Sequence, residues 1–250
     1  MKRRSTLALL SAVAVVAVGI FISFFLSFST NDDTNLITLP GQGSAIIDKN
    51  PDLAESNRDK LQTVTVNADN IQAVVSSLHR PEEYQCQSET VYFYGVSQTT
   101  FVSKLWKRGD LTRIYQSTSA GLEERQTLLT RDWVYTWASG PEYGKFPRQA
   151  NDMDLYSRMP SYEDLVAIPR EQILAGELRE RNGALCLYAE SQDDLTGERE
   201  SWYILVDNGL LIYAEGHLND SITYRCSMME LQLELDAEID FTLPDGTIPQ

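Results

Sequence analysis

Few residues in this chain have the types and spacing that chemistry needs. There are two histidines, His79 and His217, and a Ser-His-Asp or Cys-His site would have to use one of them. His79 stands at a predicted helix end before Arg80-Pro81, and His217 stands at a predicted turn. The three cysteines, Cys86, Cys186 and Cys226, all fall in predicted strands. Outside the cytoplasm one pair of them could close, in any of three ways. A bridge needs Cα atoms within about 7 Å. Two intervening strands separate Cys186 from Cys226, roughly 14 Å at the usual strand spacing. A bridge would therefore involve Cys86, and three buried thiols are the default. No His-Glu-x-x-His, Cys-x-x-Cys, phosphate-binding loop or glycine-rich dinucleotide fingerprint occurs, so neither a cofactor nor a histidine-rich zinc site is expected.

Acidic clusters stand at Asp152-Met153-Asp154, at Asp193-Asp194 with Glu198 and Glu200, and at Glu234, Asp236, Glu238 and Asp240. They lack the spacing of an EF-hand loop and read as solvated turns. A hydrolase built on paired carboxylates stays a third-ranked reading, since no spacing establishes one. The aromatic residues are more informative. Trp106, Trp133, Tyr135, Trp137, Trp202, Tyr203 and Tyr213 all lie in predicted strands. Each either fills a core between helix and sheet or lines an open apolar groove. These seven are the candidate groove residues.

The N-terminus indicates the compartment. Residues 7–28 form an uncharged apolar run of 22 residues. As a helix that run spans roughly 33 Å, enough for a bilayer core. Lys2, Arg3 and Arg4 precede it and Asp32-Asp33 follow it, which predicts a cytoplasmic N-terminus and an extracytoplasmic remainder. A cleaved secretory signal would have a shorter apolar core and a small-x-small site. The run instead ends in Phe24-Phe25-Leu26-Ser27-Phe28, which favours an uncleaved anchor. The whole chain of 250 residues carries −15, and residues 31–250 carry −18. Such a domain should stand off anionic headgroups, and it lacks the clustered cations that nucleic acid requires.

Five segments follow from this: a cytoplasmic N-terminus at 1–6, the anchor at 7–28, a flexible linker at 29–62, a folded domain at 63–246 and a tail at 247–250. A linker of that length reaches about 30 Å. Asn67 is a good N-cap for a helix over 68–79, where Ile71, Val74, Val75 and Leu78 make one apolar stripe. Strand-like segments follow at 84–94, 99–108, 111–117, 124–130 and 133–137. Short turns join them, which predicts an antiparallel meander. On the second strand Phe101 and Leu105 share one face, with Lys104 and Arg108 on the other. The stretch 139–158 reads as a lid or rim, and Ser161 and Pro169 open short helical turns. Asn182-Gly183 is a type I′ hairpin signal. Further strands are predicted at 184–189, 201–206, 210–215 and 221–235. The expected fold class is α+β: a curved antiparallel meander sheet, a half-open barrel, wrapped on one or two helices.

That layout resembles the lipoprotein-carrier fold of LolA-like carriers and RseB-like regulators, shared also by Gram-positive spore-germination lipoproteins. Asp132-Trp133-Val134-Tyr135 is similar to the family's DG-x-x-W-x-Y strand without its glycine. The run from Trp202 to Leu210 resembles the hairpin before the final strands, and Phe241-Thr242-Leu243-Pro244 its closing F-x-x-P. The resemblance covers roughly residues 63–246. It implies a half-open sheet with an apolar concavity for acyl chains or a protein segment, and no catalytic residues. With its own anchor, this chain is expected to be a stationary, non-catalytic binding or sensor module at the membrane, with a lipid or envelope-protein partner. The alternative is a protein-interaction component of a cell-envelope or sporulation and germination complex.

Overall fold

The computed structural model describes residues 51–118, 124–149 and 152–249. The predicted anchor and most of the predicted linker, residues 1–50, lie outside them. Among the described residues no helix is long and apolar enough to cross a membrane.

Eleven strands form one open antiparallel sheet in the order β6-β5-β4-β3-β2-β1-β11-β10-β9-β8-β7. One meander comprises β1 (Glu83–Tyr94), β2 (Ser97–Arg108), β3 (Leu111–Thr118), β4 (Glu124–Leu129), β5 (Trp133–Trp137) and β6 (Gly144–Pro147). The other comprises β7 (Ile173–Arg181), β8 (Ala184–Gln192), β9 (Arg199–Leu205), β10 (Leu211–Leu218) and β11 (Ser221–Gln232). Pairing of β1 with β11 joins them into one sheet. The turn residues explain the meander. Asn182 and Gly183 both have positive φ, as do Asn219 and Asp220, the backbone twist that closes a two-residue hairpin between right-twisted strands. β6 lies in the stretch that reads as a lid, and β7 begins at Ile173, inside the helical turn that Pro169 predicts.

Among the described residues four short α-helices accompany the sheet: α1 (Pro51–Leu61), α2 (Ile71–Ser77), α3 (Asp152–Ser157) and α4 (Tyr162–Ala167). The predicted stripe on α2 is the helix's buried face: Ile71 and Val75 are fully buried, and Val74 and Leu78 nearly so. The Asn67 side-chain carbonyl accepts the amides of Asp69 and Asn70, which turns the chain into the helix. This stripe packs on Leu187, Ala189, Trp202, Ile204 and Ala214 of β8, β9 and β10.

α1 corrects the expected linker boundary. Residues 51–61 are helical and docked on the domain rather than part of a tether. The dock joins two buried apolar residues, Ala54 and Leu61, to a polar centre, so hydropathy marks it only weakly. Fully buried Asn57 donates to the carbonyls of His79 and Asp207 and accepts the His79 amide, and Arg58 makes a bidentate pair with Asp207. Asn57→Leu leaves three main-chain groups without partners. It should cost about 2–4 kcal/mol in urea unfolding, while Arg58→Ala, at a partly exposed pair, should cost under about 1 kcal/mol.

The half of the sheet formed by β1 to β5 is covered on both sides. On the helix-bearing inner face Met153 and Tyr156 of α3 pack against Tyr84, Cys86, Leu105 and Ile114, and hydrogen bonds fasten the segment. Ser103 donates to the carbonyl of Ser157 at 2.6 Å, Thr90 to that of Arg158 at 2.6 Å, and Gln116 to that of Tyr156 at 3.2 Å. On the outer face the C-terminal segment lays Leu235, Ile239, Phe241 and Leu243 over Leu128, Tyr135 and Trp137. Arg113 holds the carboxylate of Asp240 there at 2.9 Å.

Candidate binding site

On the inner face a cavity of about 210 Å³ opens where three layers meet. Its floor is the sheet: Tyr84 of β1, Lys107 of β2, Thr112 of β3, Leu211 of β10 and Met228 of β11. The segment after α2, with Arg80 and Pro81, forms one wall. The connection from α3 to α4 forms the roof, with Met153, Met159, Pro160 and Tyr162.

Each wall is held by identifiable contacts. The Arg80 guanidinium donates to the carbonyls of Val75, Leu78 and Gly209, closing the C-terminal end of α2, and stacks 3.3 Å from the ring centroid of Tyr162. The N-terminus of α4 carries the capping box of Ser161 and Asp164. At its C-terminal end Gln72 of α2 donates to the carbonyls of Leu165, Val166 and Ile168. The far end of the roof is fastened by the Ser103, Thr90 and Gln116 bonds.

None of the seven predicted aromatic residues lines this cavity, and they do not share one surface. Trp202 is buried on the inner face beneath α2. Trp106, Trp133, Tyr135 and Trp137 are on the outer face beneath the C-terminal segment, with the Lys145 ammonium 4.1 Å from the Trp133 ring centroid. Tyr203 and Tyr213 are on the outer face of the other half-sheet, in a row with Tyr188. The aromatic residues of the inner cavity are Tyr84 and Tyr162, which no sequence pattern singles out.

That tyrosine row borders a second, larger depression of about 620 Å³ on the outer face. Its ionic groups mostly satisfy one another. Arg181 lies 3.4 Å over the Tyr213 ring and Arg179 3.5 Å over Tyr188. Glu215 accepts from the Tyr213 hydroxyl at 2.6 Å and Arg225 at 2.8 Å, and His217 Nε2 lies 2.6 Å from it. Burial raises the Glu215 pKa, but these contacts outweigh it and hold the carboxyl down to about 2. A depressed acid stabilises the fold fully above its ordinary value of 4.5, and that contribution disappears as pH falls toward 2. Wild-type protein should lose on the order of 2 kcal/mol over that window through this group. A Glu215→Gln variant, followed by urea unfolding at pH 6, 4 and 2.5, should lose correspondingly less.

The other predicted chemistry takes structural roles. Cys86, Cys186 and Cys226 are buried thiols outside any disulfide, and burial pushes those of Cys86 and Cys186 up to about 12. Both are therefore neutral and weakly nucleophilic at physiological pH. Asp152 accepts the Gln149 amide ahead of α3, and Asp193 accepts the amides of Leu195 and Thr196 in a turn. Among the described residues no three His, Cys, Asp or Glu side chains are grouped to hold a metal ion.

Solved structures similar to this chain include an uncharacterized conserved protein from Thermus thermophilus, at 10% identity and a TM-score of 0.42, covering 72% of this chain and 86% of that one. Structures of the lipoprotein-carrier kind are among them too. A LolA superfamily protein from Nitrosomonas europaea matches at 7% identity and a TM-score of 0.32, over 74% of this chain and 95% of its own. MucB, solved in complex with MucA(peri), matches at 14% identity and a TM-score of 0.33, over 74% and 60%. No family model and no curated protein matches the sequence. A likeness this distant speaks to neither ligand nor partner.

Proposed function

We propose that this chain is a stationary, non-catalytic binding module on the outer side of a membrane, anchored by residues 7–28, whose inner cavity receives the end of an acyl chain or an apolar side chain of a partner peptide. The observation that supports this reading most is the cavity's lining: Met153, Met159, Met228, Leu210 and Leu211 form an apolar body beneath the roof segment. Methionine side chains adapt to irregular ligands because their unbranched thioethers re-pack at little cost. At about 210 Å³ the closed cavity is smaller than the roughly 300–1,000 Å³ of usual ligand pockets. It therefore admits a chain terminus as it stands, and a longer chain once α3 lifts.

Native mass spectrometry of the full chain released from lipid nanodiscs tests this. The wild type should retain a lipid-sized adduct, and Leu211→Trp, which fills the cavity, should lose it. A wild-type chain that carries no adduct, or a Leu211→Trp chain that keeps it, overturns the reading. One observation favours a second reading, protein interaction through strand addition. β7 is a nine-residue strand at the edge of the sheet, with only β8 beside it. Crosslinking in cells from β7 to a stoichiometric protein partner, without bound lipid, would favour that alternative.

A further inference from the structure

The inner cavity has a polar end that the apolar body does not explain. Tyr84, Lys107 and Thr112 stand opposite one another on adjacent strands, so their side chains form one row across the floor. All three line the cavity. Among the described residues, none of the three side-chain polar groups makes a hydrogen bond or ion pair; Arg80, by contrast, spends its donors on three carbonyls. Burial lowers the Lys107 pKa, against a raising pull from Glu163, and nearby Arg148 lowers it further. A half-buried ammonium without a partner is costly to keep unless something pairs with it. Arg80, Lys107 and Arg148 against Glu163 give the lining a positive balance, inside a protein that is strongly acidic overall.

We propose that the inner cavity binds a single-chain amphiphile with an anionic head, the head held by the Lys107 ammonium and the hydroxyls of Tyr84 and Thr112 and the chain lying among Met153, Met159 and Met228. This rests on the reading of the cavity as a ligand site and adds the chemical class of the ligand. The three donors offer one charge-assisted and two neutral hydrogen bonds, which suits the oxygens of a carboxylate or a phosphate. Met228 and Leu211 stand on β11 and β10, across β1 from Lys107 and Thr112 on β2 and β3. A neutral ligand would leave the ammonium buried and unpaired, which disfavours it.

The methionines make the test site-specific, because Met153, Met159 and Met228 line the cavity while the exposed Met229 does not. The full chain, labelled at its methionine methyls and held in lipid nanodiscs, is titrated with decanoate, decyl phosphate and decanol while methyl resonances are followed. Either anion should move the Met153, Met159 and Met228 signals at concentrations about tenfold below those needed for decanol, the factor a single charge-assisted contact supplies. Whichever anion is tighter identifies a fatty-acid or a phosphate headgroup source. Lys107→Met should abolish the preference for anions, so that decanoate, decyl phosphate and decanol titrate at similar concentrations. Tyr84→Phe, which removes one oxygen only, should reduce the preference in part. If anions and decanol titrate equally in the wild type, the headgroup assignment is overturned while the cavity reading stands. If none of the three moves those methyls in a folded protein, the cavity reading falls and the assignment with it.

Discussion

Trp202→Ala should remove about 3–5 kcal/mol of stability, a large part of what a domain of this size possesses. Trp202 is 1% exposed and sits on β9 between Ala189 of β8 and Ala214 of β10. The two small neighbours leave room on the inner face for one large ring, and that ring belongs to the apolar cluster that buries the stripe of α2. Truncation would leave a hole flanked by alanines, which cannot close it. The indole N–H has no hydrogen-bond partner, so the residue acts through volume alone. Trp202→Phe should therefore cost far less, about 1 kcal/mol. Urea unfolding followed by circular dichroism should show a lower midpoint for the alanine variant at an unchanged slope. An alanine variant within about 0.5 kcal/mol of the wild type would mean that α2 is not held on the sheet by this ring.

The same residue shows how far the sequence can be read. α2 is legible because its partner is a single sheet face, and a one-sided helix writes its burial as a 3.6-residue period. The strand aromatics are legible as strand residues but not as a site. Alternation assigns Leu105 and Trp106 to opposite faces without saying what covers each one. Here both faces are covered in the half formed by β1 to β5, one by α3 and the other by the C-terminal segment, so alternation alone does not say which face of that half bears a groove. The cavity draws its residues from strands, helix ends and loops far apart in the chain, and no local spacing encodes that convergence. One mark is present: positions 101, 103, 105 and 107 alternate onto a single face of β2, and Lys107 stands there beside Leu105. A lysine on the buried face of a strand is the kind of local inconsistency that marks a site. α1 leaves a weaker mark, because its buried apolar residues are Ala54 and Leu61 and its docking otherwise runs through Asn57 and Arg58.

Gly176→Ala should be the most damaging single-methyl substitution in the domain. Gly176 faces inward on β7, where the chain entering α2 crosses the sheet. A Cβ there would lie 2.5 Å from the carbonyl oxygen of Asn67, 2.7 Å from its carbonyl carbon and 2.7 Å from Cβ of Ile71. Two of those atoms are main chain, and the same carbonyl accepts the Ile71 amide that opens the helix, so no side-chain rotation relieves the clash. Either β7 moves off the start of α2 or the helix moves off the sheet. The expected cost is about 2–3 kcal/mol, more for valine. Gly216→Ala is the matched control. The three atoms nearest its Cβ belong to the side chains of Tyr224 and Thr223, which can give way at the expense of their hydrogen bonds to Glu200 and Glu198, so it should cost less. Since α2 leads directly into Arg80 and Pro81 at the cavity wall, moving the helix start should disturb the cavity as well. Methionine methyl spectra of Gly176→Ala should show displaced Met159 and Met228 signals before any ligand is added. A variant with wild-type stability and unshifted methyls would show that the crossing has slack, and that the position of α2 is set by its apolar stripe alone.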